Sequence, residues 1–192
     1  VLICPNITDS YLNYFVPYFK GKKIVFFGGS LRVEGTNMLA EHLMKHTSME
    51  GFTISLILFK INIQQSGINR FLECFKLNYF TSLKEIVVDF QSFGLLGLQS
   101  FIAIMSVNNT LNRLGIEVVD DKKFMEVLSF SLSYLQFNQT LQEIEIFGAP
   151  LNDNCVKSIK NACINGLNQL SYLRIECSKD ALMEADMLID VG

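Results

Sequence analysis

Hydrophobic positions along this chain follow two rhythms that take turns. The first is a short alternation. Counting the start of each run as position 1, apolar residues fall at positions 1, 4 and 6: Leu83, Ile86 and Val88; Leu111, Leu114 and Ile116; Leu141, Ile144 and Ile146; Leu170, Leu173 and Ile175. Alternation with a period of two across positions 4 to 7 predicts a strand with one buried face. Degenerate copies begin at residue 21, with Ile24 and Phe26, and at residue 53, with Leu56 and Leu58. The six starts (21, 53, 83, 111, 141 and 170) lie 28 to 32 residues apart.

The second rhythm has a spacing of four. Leu31, Gly35, Leu39 and Leu43 form one set; Ile63, Gly67, Phe71 and Phe75 repeat it, as do Phe93, Gly97, Phe101 and Met105. Such a row is one face of a helix. Ile7, Tyr11, Phe15 and Phe19 read as the helix half of an earlier unit, with Tyr11 in the glycine place. The unit starting at 111 loses its glycine, and its helix row (Phe124, Leu128, Leu132) slips by about one residue. Small polar junctions such as Thr81-Ser82, Asn109-Thr110 and Asn138-Gln139-Thr140 suit the turn from helix back to strand. Strand, turn, helix and turn at a period near thirty predict a solenoid, not a globule with one central core.

The repeated wording resembles the leucine-rich repeat family, in its long, ribonuclease-inhibitor-like class. That motif reads L-x-x-L-x-L, then an apolar residue, a glycine and two helical anchors. The resemblance spans essentially the whole chain. It implies an α/β leucine-rich-repeat solenoid, a curved horseshoe arc with its parallel β-sheet concave and its α-helices convex. Residues 1–192 are then a single domain of about six repeats, and the absence of a clear N-terminal cap reads as a fragment of a larger protein. One departure stands out. The family usually places Asn or Cys at position 9, where this chain has Gly29, Ile61, Gln91, Val119, Ala149 and Ser178, so the turns after the strands should be irregular.

Positions 3, 5 and 7 of each strand must face away from the core, because side chains alternate. In the first repeats they carry Val25, Phe27, Ile57, Phe59 and Val87. Later repeats carry Glu85, Asp89, Glu117, Glu143, Glu145 and Glu176, with Phe147, Tyr172 and Arg174, and Arg113 breaks the acidic run. An apolar N-terminal half and an acidic C-terminal half are therefore expected on one face. A contiguous apolar patch usually meets a partner, although a one-residue slip in register would turn the same side chains into core. These fourteen residues, Arg113 apart, are the candidate protein-binding surface, and the partner is another protein or another domain of the same chain. By resemblance, such arrays occur in large intracellular innate-immunity receptors and in some bacterial effectors. Others in this repeat class activate small GTPases, which is the competing regulatory reading; a purely architectural element in an assembly is a third.

Bulk properties narrow the field. A net charge of −3 and a pI near 5.4 leave no basic stripe for nucleic acid. Residues 90–112 carry no charge but fit the repeat helix in register, so no membrane insertion is expected. The five cysteines (4, 74, 155, 163 and 177) form no C-x-x-C pair, and most sit in apolar places, which suits small core residues and a reducing, cytoplasmic setting. N-x-T sequons at Asn6, Asn108 and Asn138 leave secretion open.

Candidate chemistry is sparse. His42 and His46 stand four apart, but no third ligand accompanies them and the residues between lack a glutamate. Gly28-Gly29-Ser30 follows a strand without the Lys-Ser/Thr of a phosphate loop. Asp120-Asp121 falls in a predicted turn. The expectation is a non-enzymatic recognition module with no cofactor, no metal and no small-molecule substrate.

Overall fold

The computed structural model describes residues 1–15, 18–45 and 54–177, the side chains of Glu176 and Cys177 excepted. Strands and helices alternate. They are β1 (Leu2–Ile7), α1 (Asp9–Phe15), β2 (Lys23–Leu31), α2 (Val33–Lys45), β3 (Ile54–Phe59), β4 (Asn62–Ile63), α3 (Gln65–Lys76), β5 (Leu83–Asp89), α4 (Phe90–Met105), β6 (Arg113–Glu117), α5 (Lys122–Leu132), β7 (Glu143–Leu151), α6 (Asp153–Asn165) and β8 (Tyr172–Cys177). The strands form one parallel sheet in chain order β1-β2-β3-β5-β6-β7-β8, with the short β4 pairing with β2. Each helix packs against the next one in sequence.

The pairing register joins the columns read from the sequence. Ile24 stands beside Leu56, Leu56 beside Ile86, Ile86 beside Leu114, Leu114 beside Ile144 and Ile144 beside Leu173. Position 6 pairs Phe26 with Leu58, and runs in step from Val88 through Ile116 and Ile146 to Ile175. From Ile24 through Ile146 both columns are fully buried against the helix layer. The helix rows behave alike: Leu39, Leu43, Phe75, Phe101 and Met105 are all buried. A phenylalanine cluster fills the space between α3 and α4, with the Phe75 ring 4.9 Å from that of Phe80 and 5.3 Å from that of Phe101. The row glycines let successive helices close together. A Cβ on Gly67 would come within 2.5 Å of Thr36 Oγ1 on α2. In the same place on α6, Cys155 is buried with its Sγ 3.3 Å from the Met125 carbonyl oxygen of α5.

One expectation at the edge of the pattern fails. In α1 the buried residue is Leu12, while Tyr11 and Phe15 are exposed and stack on each other at 6.4 Å. With Tyr11 in the glycine place, Phe15 is the expected anchor, but the helix turns Leu12 toward α2 instead. The strand-to-helix turns are indeed dissimilar, as missing position-9 side chains would have it. Gly29 takes φ 96° where the Ile7 backbone approaches too closely for any Cβ, Lys60 takes φ 53°, and β5 passes into α4 with no intervening turn at all. Helix α4 is kinked at Gly94 (φ 65°, ψ 174°).

The opposite junction is regular, and asparagine makes it so. The Asn108 amide donates to the Phe75 carbonyl and to Asn78 Oδ1, while its Oδ1 accepts from the Thr110 and Leu111 N–H groups at 3.1 and 3.0 Å. Thirty residues on, Asn138 repeats the arrangement: it donates to the Met105 and Asn108 carbonyls and accepts from the Thr140 and Leu141 N–H groups, both at 2.8 Å. Each amide thus joins its own turn to the preceding unit. Both are buried, so the sequon wording at these two positions is ladder wording, and a glycan on either amide would remove a donor that the ladder uses. Asn6 of the third sequon is exposed.

Candidate functional site: the open face of the sheet

Opposite the helices, positions 3, 5 and 7 of the strands line a face that no other described element covers. Ile3, Val25 and Ile57 stand side by side in one row, and Phe27 beside Phe59 in the next. Ile3 is 66% exposed and Phe27 51%. Val25, Ile57 and Phe59 are half-buried by their neighbours. Ile3 was not among the candidates, since its strand starts at the second residue and shows only half its alternation; the signal was Leu2 in the position-4 column.

Two candidates are not exposed. Val87 is 7% exposed because its neighbour across the register is Gly115, and the Val87 methyl groups occupy the space above that glycine: a Cβ there would lie 2.9 Å from Cγ2. Asp89 is 2% exposed and committed to the fold. Its carboxylate accepts from the Ser92 N–H at 2.7 Å, capping α4, and from the Lys60 N–H at 2.6 Å, which holds Lys60 in its left-handed turn. Both are withdrawn from the candidate binding surface. Glu176 lies in β8 with its side chain outside the described residues.

The expected division into an apolar half and an acidic half is also redrawn. Phe147, on β7, reaches Phe59, on β3, with ring centroids 6.1 Å apart. Two strands lie between them, so their backbones are separated by three strand spacings, roughly 14 Å. The rings therefore lean toward each other above the shorter Asp89 and Glu117. Phe27 continues the row at 6.4 Å from Phe59, and the Lys60 ammonium sits 5.9 Å above the Phe27 ring. The aromatic row follows the position-7 end of the strands and crosses into the acidic half.

Charge gathers at the other end. Arg113 is held by three glutamates: Nη1 is 3.4 Å from Glu85, Nε 3.3 Å from Glu143 and Nη2 3.1 Å from Glu145. They come from β5 and β7, on either side of the arginine's own β6, so adjacent strands deliver them in register. Arg174 is the register neighbour of Glu145 and is exposed, as is Tyr172 next to Glu143. Glu117, beside Asp89, has its carboxyl pushed above the ordinary range by burial and by the Asp89 charge, with Lys60 opposing.

The cysteines and histidines whose side chains are described lie in or against the core. Burial pushes the Cys155 thiol up to about 12 and that of Cys163 to about 11, so neither is a thiolate near neutral pH. Cys74 is buried in the core and Cys4 half-buried. His42 is buried beside Phe19, and His46 lies outside the described residues. Among the described residues no group of three or more His, Cys, Asp or Glu is placed to hold a metal ion. Asp121, from the predicted turn, caps α5 by accepting from the Phe124 N–H at 2.7 Å. Among the described residues, too, no helix is long and apolar enough to cross a membrane.

Fold and face together define an α/β protein with a single parallel sheet of strands alternating with helices and an open sheet face carrying an aromatic row and a glutamate-rimmed arginine. No family model matches the chain, and no curated protein matches it.

Proposed function

We propose that this chain is a leucine-rich-repeat solenoid acting as a non-enzymatic protein-recognition module, and that it binds its partner through the open, concave face of the sheet. The observation that carries this reading is the row of Ile3, Val25, Phe27, Ile57 and Phe59, apolar side chains set side by side by the parallel register on a face with no described helix over it. Monomeric proteins rarely leave such rows to water, and transfer of one such side chain out of water is worth about 1.5–3 kcal/mol. The period near thirty, the buried position-4 and position-6 columns and the glycine-containing helix row support the repeat assignment. As a module of this kind it would serve as a sensor or scaffold segment, and the partner would be another protein or another domain of the same polypeptide.

A photo-crosslinking amino acid at position 27, in cells, tests the reading against the same group at Leu96 on α4, which is exposed on the helix side. A discrete protein adduct from position 27 alone, abolished by Ile57→Asp, is the expected result. Equal labelling from both positions, or none from position 27, would refute binding through the open face.

A further inference from the structure

Resting on that reading, we propose that the segment bound on the open face is a basic–apolar polypeptide, one that sets a Lys or Arg against Glu85, Glu143 and Glu145 and an apolar side chain on the Phe59–Phe147 pair. The argument is one of charge and spacing. Among the described open-face side chains of β5 to β8, five carboxylates (Glu85, Asp89, Glu117, Glu143 and Glu145) meet two guanidinium groups (Arg113 and Arg174). Asp89 is spent on backbone N–H groups. Around Arg113 the remainder is concrete: three carboxylates share one guanidinium within 3.1 to 3.4 Å, which leaves a net negative excess. The arginine organises these carboxylates without neutralising them, so their free oxygens are held in place for a second cation. A pre-ordered anionic rim favours a positive partner and disfavours an acidic one.

Spacing then restricts the occupant. Glu85 and Glu143 stand at position 3, Glu145 at position 5, and the two phenylalanines at position 7 of the same sheet. Along a strand, two to four residues span roughly 7–13 Å. An extended segment running with the strands would therefore carry its cation and its apolar residue two or four positions apart, on one side of the chain. A helical segment would carry them one to two turns apart. A phenylalanine row beside an arginine-centred glutamate cluster fits neither nucleic acid nor an anionic lipid surface, since both need positive potential.

The test is phage display of random 12-residue peptides against the folded protein, followed by affinity measurement of synthetic winners. Enrichment of Lys or Arg with an aromatic or aliphatic residue at those spacings is expected. Binding of a winner should weaken about tenfold in Glu143→Gln/Glu145→Gln, weaken comparably in Phe147→Asp, and fall as salt rises from 50 to 500 mM. Circular dichroism of each variant separates lost binding from lost folding. Winners that need Phe27 but carry no cation, or that ignore Glu143→Gln/Glu145→Gln, would overturn the basic–apolar partner while leaving recognition through the face intact. A concentration-dependent dimer in sedimentation, abolished by Phe59→Asp, would overturn it in favour of a second copy of the chain. No enrichment over a Phe27→Asp/Ile57→Asp control would overturn it as well, and the crosslinking result would then stand or fall separately.

Discussion

Replacing Asn138 by alanine removes one rung of the ladder that joins successive units, and the structure sets the size of the effect. The amide gives two donors, to the Met105 and Asn108 carbonyls, and its oxygen receives the Thr140 and Leu141 N–H groups. All of this occurs at a buried side chain. These four hydrogen bonds, leaving aside the longer one from the Thr140 hydroxyl at 3.4 Å, bracket the loss at about 2–6 kcal/mol at about 0.5–1.5 kcal/mol each, and water entering the vacated space places the expected value near 3 kcal/mol. Asn138→Asp refines the argument. Its Oδ1 can keep both backbone N–H partners, but an ionised carboxylate would face two carbonyl oxygens and donate to neither. The folded form therefore prefers the protonated acid, and its pKa is raised above that of the unfolded chain. Stability relative to wild type is then best below the ordinary aspartate range, about 3.9, and falls as pH rises through the raised folded value. Urea unfolding followed by circular dichroism at pH 4 and pH 7 reads both effects. An Asn138→Ala variant within 1 kcal/mol of wild type would refute the structural role of the ladder, and an Asn138→Asp variant whose deficit does not change with pH would refute its donor assignment.

Three further outcomes check the register and the electrostatics. Leu58→Asp places an unpaired charge in a fully buried position-6 site and should abolish cooperative unfolding, at a cost of about 5 kcal/mol or more; Phe59→Asp, on the opposite face, should cost about 2 kcal/mol and still melt cooperatively. The reverse order in thermal denaturation would mean that the strand is slipped by one residue. Glu117→Gln should raise the unfolding midpoint at pH 7, because burial and Asp89 hold the native Glu117 carboxyl above its ordinary range; the stability that comes with its protonation is complete below about pH 4.3 and lost as pH rises through the folded value, so the gain from glutamine should vanish in acid. A gain that persists at pH 4 would exclude that cause. Cys74 and Cys155 should resist maleimide at neutral pH until global unfolding, as followed by mass spectrometry, because both are buried and the Cys155 thiol is pushed up to about 12; rapid native labelling of Cys155 would contradict its place between α5 and α6.

The columns of the sheet were legible in the sequence because they report a local property repeated many times. An apolar residue at position 4 or 6 is buried wherever the strand has a helix behind it, and even the degenerate copies around Ile24 and Leu56 keep the same neighbours. Where repetition thins out, legibility fails. In α1 the buried anchor is Leu12 and not Phe15, since a single row on a short helix cannot fix which of its apolar residues faces the core. Ile3 escaped notice for the same reason. Exposure within a column was less legible still. Val87 and Asp89 occupy the same kinds of position as Ile57 and Glu117, and a pattern of types cannot show that Gly115 leaves room for one or that Lys60 and Ser92 claim the other.

The contact between Phe59 and Phe147 marks the deeper limit of reading strands one at a time, and it also explains the character of the site. Their numbers lie nearly ninety residues apart, and the residues between them in the row are both acidic. Phenylalanine is long enough to lean over aspartate and glutamate, so two rings from opposite halves close over a pair of carboxylates. The two groups in the row between those rings differ. Asp89 accepts from backbone N–H donors, while the Glu117 carboxyl is pushed up by burial and by the neighbouring Asp89 charge, with Lys60 opposing. The same two rings set an apolar surface beside the glutamates that Arg113 holds in order. On the proposed reading, an apolar platform next to an ordered anionic rim would select a partner by the joint presence of a cation and a hydrophobe. Neither half of the face, taken from the sequence alone, would have imposed that requirement.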